Sequence, residues 1–216
     1  MRPVLVILAG FALIALLLGW TRWLSDRRWA AAGHLALGLG ATALTAWLWP
    51  LGLHLETYEP HRPGQPVAEL FLEQTASSRF RASLTRLPSG RMQVFELAGE
   101  QWQIEARTMT WTGRAAELGI GPSHRLERLS SRSASAAVGV DVIQSAFALA
   151  ARDRGADLWS RAQGGPVWDR VLEAGFAASP WQPMANGARF ELRIGPTGMQ
   201  ANPLNGAALA SLGTAR

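Results

Sequence analysis

Two uninterrupted apolar runs open the chain, residues 3–21 (PVLVILAGFALIALLLGWT) and 29–55 (WAAAGHLALGLGATALTAWLWPLGLHL), 19 and 27 residues without an acid or an arginine. As helices rising 1.5 Å per residue they reach roughly 28 and 40 Å, against a bilayer hydrocarbon core of about 30 Å. The pattern predicts a two-helix transmembrane hairpin over residues 1–55, its helices at about 3–21 and 30–54. A cleaved signal peptide fits poorly: the first run ends in LGWTRWLSDRR, without a small-x-small cleavage site, and a second spanning run follows at once.

Beyond the hairpin the period changes. Residues 59–66 (EPHRPGQP) hold three prolines and a glycine and read as an extended linker over 56–66. Residues 67–73, 78–87, 91–97 and 101–112 then alternate apolar and polar positions and are separated by TASS, PSG and AGE turns. Phe80, Ala82 and Leu84 share one face of the second segment, and Trp102, Ile104 and Ala106 one face of the fourth. Short connections favour an antiparallel meander. Residues 124–132 (HRLERLSSR) read as a fifth strand, although Leu126 and Leu129 at spacing three leave a helix open.

After Ser133 the spacing turns helical. Val140, Ile143, Phe147 and Ala151 predict a helix over 140–152, closed by Gly155; Asp157 caps a short helix to Arg161; Pro166 starts another, to Ala178, with Val167, Val171, Leu172 and Phe176 on its apolar face. A strand returns at 188–194, and GPTG (195–198) turns into 199–201. The tail, 202–216, is Ala- and Gly-rich and reads as disordered. The fold class expected for 67–201 is one α+β domain, an antiparallel sheet with inserted helices.

Charge adds orientation. The turn between the apolar runs carries Arg22, Arg27 and Arg28 against Asp26, whereas the outer flanks carry Arg2 and, beside Glu56 and Glu59, Arg62. Basic residues stay cytoplasmic, so both termini and the C-terminal domain are expected in the periplasm of a two-pass inner-membrane protein. Trp20, Trp23 and Trp29 near the turn, and Trp47 and Trp49 near the other end, suit the two headgroup levels. The net charge of +5 is not a nucleic-acid signature. All 21 basic residues are Arg, and after Leu55 there are 17 Arg against 15 carboxylates, alternating as in RLERLSSR, so no nucleic-acid partner is expected.

The absence of Cys excludes disulfides, thiolate nucleophiles and Cys-based metal sites. The absence of Lys excludes Schiff-base chemistry and Walker-type phosphate loops. Glu69, Glu73, Glu96, Glu100, Glu105 and Glu127 fall on or near strands, where pairing with Arg across the sheet outweighs an acid/base dyad. His124 with Glu127, and His61 with Glu59, are too few groups for a metal site. Ser130, Ser131 and Ser133 lack a nucleophile elbow. His34 and His54 lie near the ends of the second run, away from where a proton relay sits. No catalytic, cofactor-binding or metal-binding residue is assigned. Two contact surfaces are: small residues Ala32, Ala36 and Gly40, which pack against the first helix or dock a membrane partner, and an exposed Trp of the sheet, with Trp102 and Trp111 on opposite faces of one strand. Trp159, Trp168 and Trp181 are expected core anchors, and 181–190 (WQPMANGARF) a turn into the last hairpin.

The series PVAELFLEQ, FRASLTRLPSG, FELAGEQWQIEARTMTWTG and LGIGPSHRLERLSSR, with PMANGARFEL later, resembles a group of small bacterial inner-membrane proteins often labelled "cation/multidrug efflux pump" or "multidrug transporter". The resemblance covers roughly 66–132 and 183–192 and implies a similar two-helix anchor. The group has no established activity, so no catalytic residues carry over, and the pump label conflicts with two spans that hold no acid or arginine. The expected function is therefore a non-enzymatic, membrane-anchored interaction or accessory protein, whose partners are the bilayer and a larger inner-membrane complex. The alternatives are a lipid- or small-molecule-binding module with a pocket under the 167–176 helix, and a carboxylate-dependent envelope hydrolase.

Overall fold

The computed structural model describes residues 2–117, 121–135, 140–150, 155–165, 168, 170–195 and 197–213. The chain forms two compact units, one reaching Tyr58 and including 155–161, the other taking the rest from Glu59 onward.

In the first unit, α1 (Arg2–Leu24) and α2 (Arg28–Leu55) are both long and apolar enough to cross a membrane. They pair through glycines. A Cβ on Gly38 would lie 2.7 Å from the Leu16 side chain and 2.9 Å from its backbone nitrogen, and one on Gly19 would lie 2.7 Å from Leu35. The buried small residues of the α2 seam are Ala31 and Gly38, whereas Ala32, Ala36 and Gly40 are exposed. The small-residue face read from the sequence is thus turned away from α1; the packing face lies beside it. Gly38→Ile is expected to destabilise the helix pair by about 1–3 kcal/mol through overpacking, and Gly40→Ile, with nothing within 4 Å of its Cβ, to leave it unchanged. The midpoint of loss of helical circular dichroism in an SDS titration separates the two variants.

The end of α2 is held by residues 155–161. Ala156 N–H donates to the Pro50 carbonyl (3.2 Å). Gly155, at φ +79°, sits where a Cβ would collide with that same oxygen, so both its backbone conformation and its lack of a side chain are required. Asp157 accepts from Ser160 N–H (3.1 Å) at the start of α4 (Leu158–Ala162), the cap read from the sequence, and its Oδ1 lies 3.5 Å from Nε2 of the buried His54.

The second unit is two antiparallel sheets packed face to face. One contains β2 (Pro66–Ala76), β3 (Arg79–Arg86), β4 (Met92–Ala98), β10 (Arg189–Gly195) and β11 (Gly198–Pro203), in the order β11-β10-β2-β3-β4. The other is built on β5 (Gln101–Trp111) and β6 (Ser123–Ser135). β1 (Glu59–Pro60) and β7 (Val140–Ala148) pair with β6, while β8 (Leu172–Ala178) and β9 (Gln182–Pro183) pair with β5. A short helix, α3 (Gly113–Glu117), joins β5 toward β6. The meander therefore holds only for β2–β4: β5 leaves for the second sheet after the tight Gly99–Glu100 connection. Inward side chains of both sheets form one core, with Leu70, Leu72, Leu84, Phe190 and Leu192 from one sheet and Trp102, Ile104, Leu126 and Leu129 from the other. At about 1.5–3 kcal/mol per fully buried large apolar side chain, this shared layer is the main source of stability.

Three readings from the sequence are corrected. The expected helix over 140–152 holds strand β7, and the expected helix to 178 ends in strand β8; Ala151, Arg152, Pro166, Val167 and Asp169 lie outside the described residues. The expected disordered tail contains α5 (Gly206–Gly213), capped by Asn205 Oδ1, which accepts from Ala208 N–H (3.0 Å), with Ala208 and Ser211 buried. Residues 214–216 lie outside the described set. The domain is thus mostly antiparallel β with a few short helices. The expected linker is also partly built in: Glu59 and Pro60 form β1, His61 N–H donates to the Pro122 carbonyl (3.0 Å), and Arg193 donates to the Gly64 carbonyl (2.7 Å).

Candidate functional site

At one end of the sandwich the inter-sheet space becomes partly polar. Along the inner face of the β5–β6 sheet, Ala106 and Leu126 are core, and the next inward pair on these strands is Thr108 opposite His124. The following inward position is Thr110, opposite Glu173 of β8. These positions open a cleft of about 420 Å³, walled by His61 and Pro63 on one side and by Ile194, Gly195 and Gly198 of the other sheet. Gly175, opposite Thr108, leaves room for the hydroxyl: a Cβ there would lie 3.0 Å from Thr108 Oγ1.

Two histidines meet at this end. The His61 and His124 rings stand edge to face with centroids 5.2 Å apart. His124 is 2 % exposed. Burial, the neighbouring His61 and the Arg86 cation push its pKa down to about 4, while the ring's hydrogen bond to the Glu59 carbonyl opposes the shift. Burial also lowers His61. Both rings are therefore neutral at neutral pH, and Nδ1 of each is buried without a hydrogen-bond partner among the described residues. A neutral imidazole carries one N–H donor and one acceptor nitrogen.

Three of the six strand glutamates singled out from the sequence are matched with arginines. Glu105 takes both Arg128 nitrogens at 2.9–3.1 Å, directly across from it on β6, and Glu73 faces Arg81 at 3.5 Å across β2–β3. Glu127 lies 3.5 Å from Arg107 and also bonds Arg125. Glu59 lies 3.8 Å from Arg86, and Glu191 pairs with Arg193. Glu69, Glu96 and Glu100 stand apart from these pairs, on the strands and connection where the sequence put them. Among the described residues no three His, Cys, Asp or Glu side chains converge as a metal site would require. Ser131 donates to the Ala98 carbonyl (2.6 Å); Ser130 is buried, and Ser133 is half-buried on the same strand. Trp102 is core, Trp111 is half-buried, Trp159 is buried, Trp168 is half-buried, and Trp181 lies under the Arg132 guanidinium at 4.4 Å.

Sequence reasoning named His61 and His124 but placed each with a near neighbour, Glu59 and Glu127; the fold pairs them with each other. It missed Thr108, Thr110 and Glu173 altogether. The alternation of β5 carried a signal, since Thr108 and Thr110 continue the inward series Trp102, Ile104, Ala106 with polar residues. Nothing local pointed to Glu173, because its segment was read as a helix. Comparison with protein families, with curated proteins and with solved structures finds no match to this chain.

Proposed function

We propose that this is a two-pass protein of the bacterial inner membrane, with both termini and the β-sandwich in the periplasm, acting there as a non-enzymatic binding module. The single observation that carries the reading is the end cleft, a site of small-molecule size in which neutral imidazole, hydroxyl and carboxylate groups replace the apolar core. Support for the anchor comes from the apolar side chains exposed along both helices, among them Ile7, Leu13, Leu37 and Leu39, and from exposed Trp20, Trp23, Trp29, Trp47 and Trp49 near their ends. The matching of Glu59, Glu73, Glu105, Glu127 and Glu191 with arginines weighs against a carboxylate hydrolase. Phosphatase and fluorescent-protein fusions after Arg216 test the orientation: phosphatase activity without fluorescence supports it, and the reverse sinks it. Native mass spectrometry of protein extracted in mild detergent tests the cleft. A small adduct on the wild type that is lost in a cleft-filling Thr110→Tyr variant is the expected result, and identical spectra for the two count against the cleft.

A second reading rests on the Ala32, Ala36 and Gly40 face, which is exposed and turned away from α1. It would seat a helix of a larger inner-membrane complex. Ala36→Leu should then abolish co-purification of a stoichiometric membrane partner while leaving the hairpin intact.

A further inference from the structure

The groups lining the end cleft have one electrostatic character. Thr108 and Thr110 offer hydroxyl oxygens, His61 offers an imidazole, and Glu173 offers a carboxylate. Although the domain is rich in arginine, none of the described lining residues is cationic. Glu173 is exposed to the cleft and, among the described residues, has no ion-pair partner, in contrast to Glu59, Glu73, Glu105, Glu127 and Glu191. The described lining of the cleft thus carries a negative charge and no positive one.

A second groove, of about 540 Å³, adjoins the first at Gly198. Its lining is polar but neutral, with the carboxamides of Gln103, Gln182, Gln200 and Asn202. Carboxamides both donate and accept, so this part suits amide or hydroxyl groups and has no preference for charge.

We propose that the cleft binds a ligand through a primary ammonium group, received by Glu173, His61 and the Thr108–Thr110 hydroxyls, with the ligand's neutral hydrogen-bonding portion lying along the carboxamide groove. A primary ammonium carries one positive charge and three donors, which matches a carboxylate and hydroxyl oxygens that can accept, in a described lining without a cation. A carboxylate or phosphate would meet Glu173 with no compensating cation. This inference rests on the cleft being a binding site and specifies its ligand.

The test uses the full-length chain in mild detergent and three probes: triglycine amide, its N-acetyl form, and putrescine. Binding is read by calorimetry and by the methyl NMR signals of Thr108 and Thr110. The free-amine peptide should bind at least about tenfold more tightly than the acetylated one, since a hydrogen bond between charged partners is stronger than one between neutral partners. Glu173→Gln, an exposed and conservative change, should remove that difference, while Glu96→Gln on the far edge strand should preserve it. Putrescine binding as tightly as the peptide assigns recognition to the ammonium alone; weaker putrescine binding shows that the carboxamide groove contributes. Equal affinity for the two peptides, or a preference that survives Glu173→Gln, overturns the ammonium assignment but leaves the cleft as a binding site. If no probe shifts either threonine signal at millimolar concentration, the cleft reading falls with it.

Discussion

Replacing Trp102 by Ala is expected to cost about 3–5 kcal/mol of stability, enough to unfold the sandwich domain under conditions where the wild type is folded. The indole is fully buried at the centre of the shared core. It meets Phe190 of the opposite sheet edge to face, with centroids 5.2 Å apart and planes at 62°. That contact joins the two sheets directly, so its removal leaves a cavity between layers whose strands are already fixed by their hydrogen-bond ladders and cannot collapse inward. The indole nitrogen has no hydrogen-bond partner among the described residues, so the side chain contributes through packing and ring contact. Trp102→Phe should therefore cost much less than the Ala variant, under about 2 kcal/mol. Denaturant titration of the full chain in detergent, followed by loss of the sheet signal, measures both. Because the two rings share one contact, Trp102→Ala with Phe190→Ala should cost less than the sum of the single changes. A strictly additive pair, or a Phe variant as damaging as Ala, would show that the indole acts through something other than this ring contact.

What was legible in the sequence follows from which periods are distinctive. The two apolar runs and the strands β2 to β6 were readable because few conformations besides a spanning helix and a half-buried strand call for unbroken hydrophobicity or strict alternation. The misread segments β7 and β8, and the helical alternative left open for β6, have two physical causes. In β6, Leu126 and Leu129 both face the core at a spacing of three because the register shifts beside Glu127: Glu105 opposes Arg128, and Ala106 opposes Leu126. In β7 a similar shift falls at Gln144, between the pairs Ser131–Ser145 and Arg132–Ile143. One extra residue breaks a two-residue period and leaves a spacing that imitates a helix. In β8, Leu172 and Phe176 lie four apart, and residues four apart share a face in a strand as they do in a helix, so spacing alone could not choose between them. Gly175, in contact with Thr108, was the local clue against a helix.

The site was legible only in pieces. His61 and His124 are 63 positions apart along the chain, and their meeting depends on β1 pairing with β6, a ladder of two residue pairs with no strong sequence signal of its own. Glu173 reaches the cleft only because β8 is the outer neighbour of β5, which reading the segment as a helix concealed. The tail was missed for a compositional reason. Ala-Gly richness suggested disorder, yet Asn205 as cap and Ala208 and Ser211 on one face form a regular helix start.

Acid should destabilise the sandwich through His124 more than through any exposed histidine. The ring is held by its neighbours in a neutral state: His61 stands against it, Arg86 is close enough to repel a second cation, Thr108 lies opposite on β5, and Glu59 supplies only a backbone carbonyl. Its folded pKa of about 4 lies below the ordinary 6.5 expected in the unfolded chain. Above pH 6.5 neither state binds the proton, so the full stability is present. Between 6.5 and 4 the unfolded chain takes up a proton that the folded chain refuses, and stability falls with pH. Below about 4 both bind it and the loss is complete. The interval corresponds to about 3 kcal/mol, at roughly 1.4 kcal/mol per pH unit. His61, lowered by burial, acts in the same direction. Denaturant midpoints collected from pH 7.5 to pH 4 for wild type and His124→Leu give the test. The Leu variant should show a flatter profile, with the difference opening below about pH 6.5 and saturating near pH 4. Parallel profiles would mean that His124 takes up its proton in the folded state as readily as in the unfolded one, and that the buried end of the sandwich admits charge.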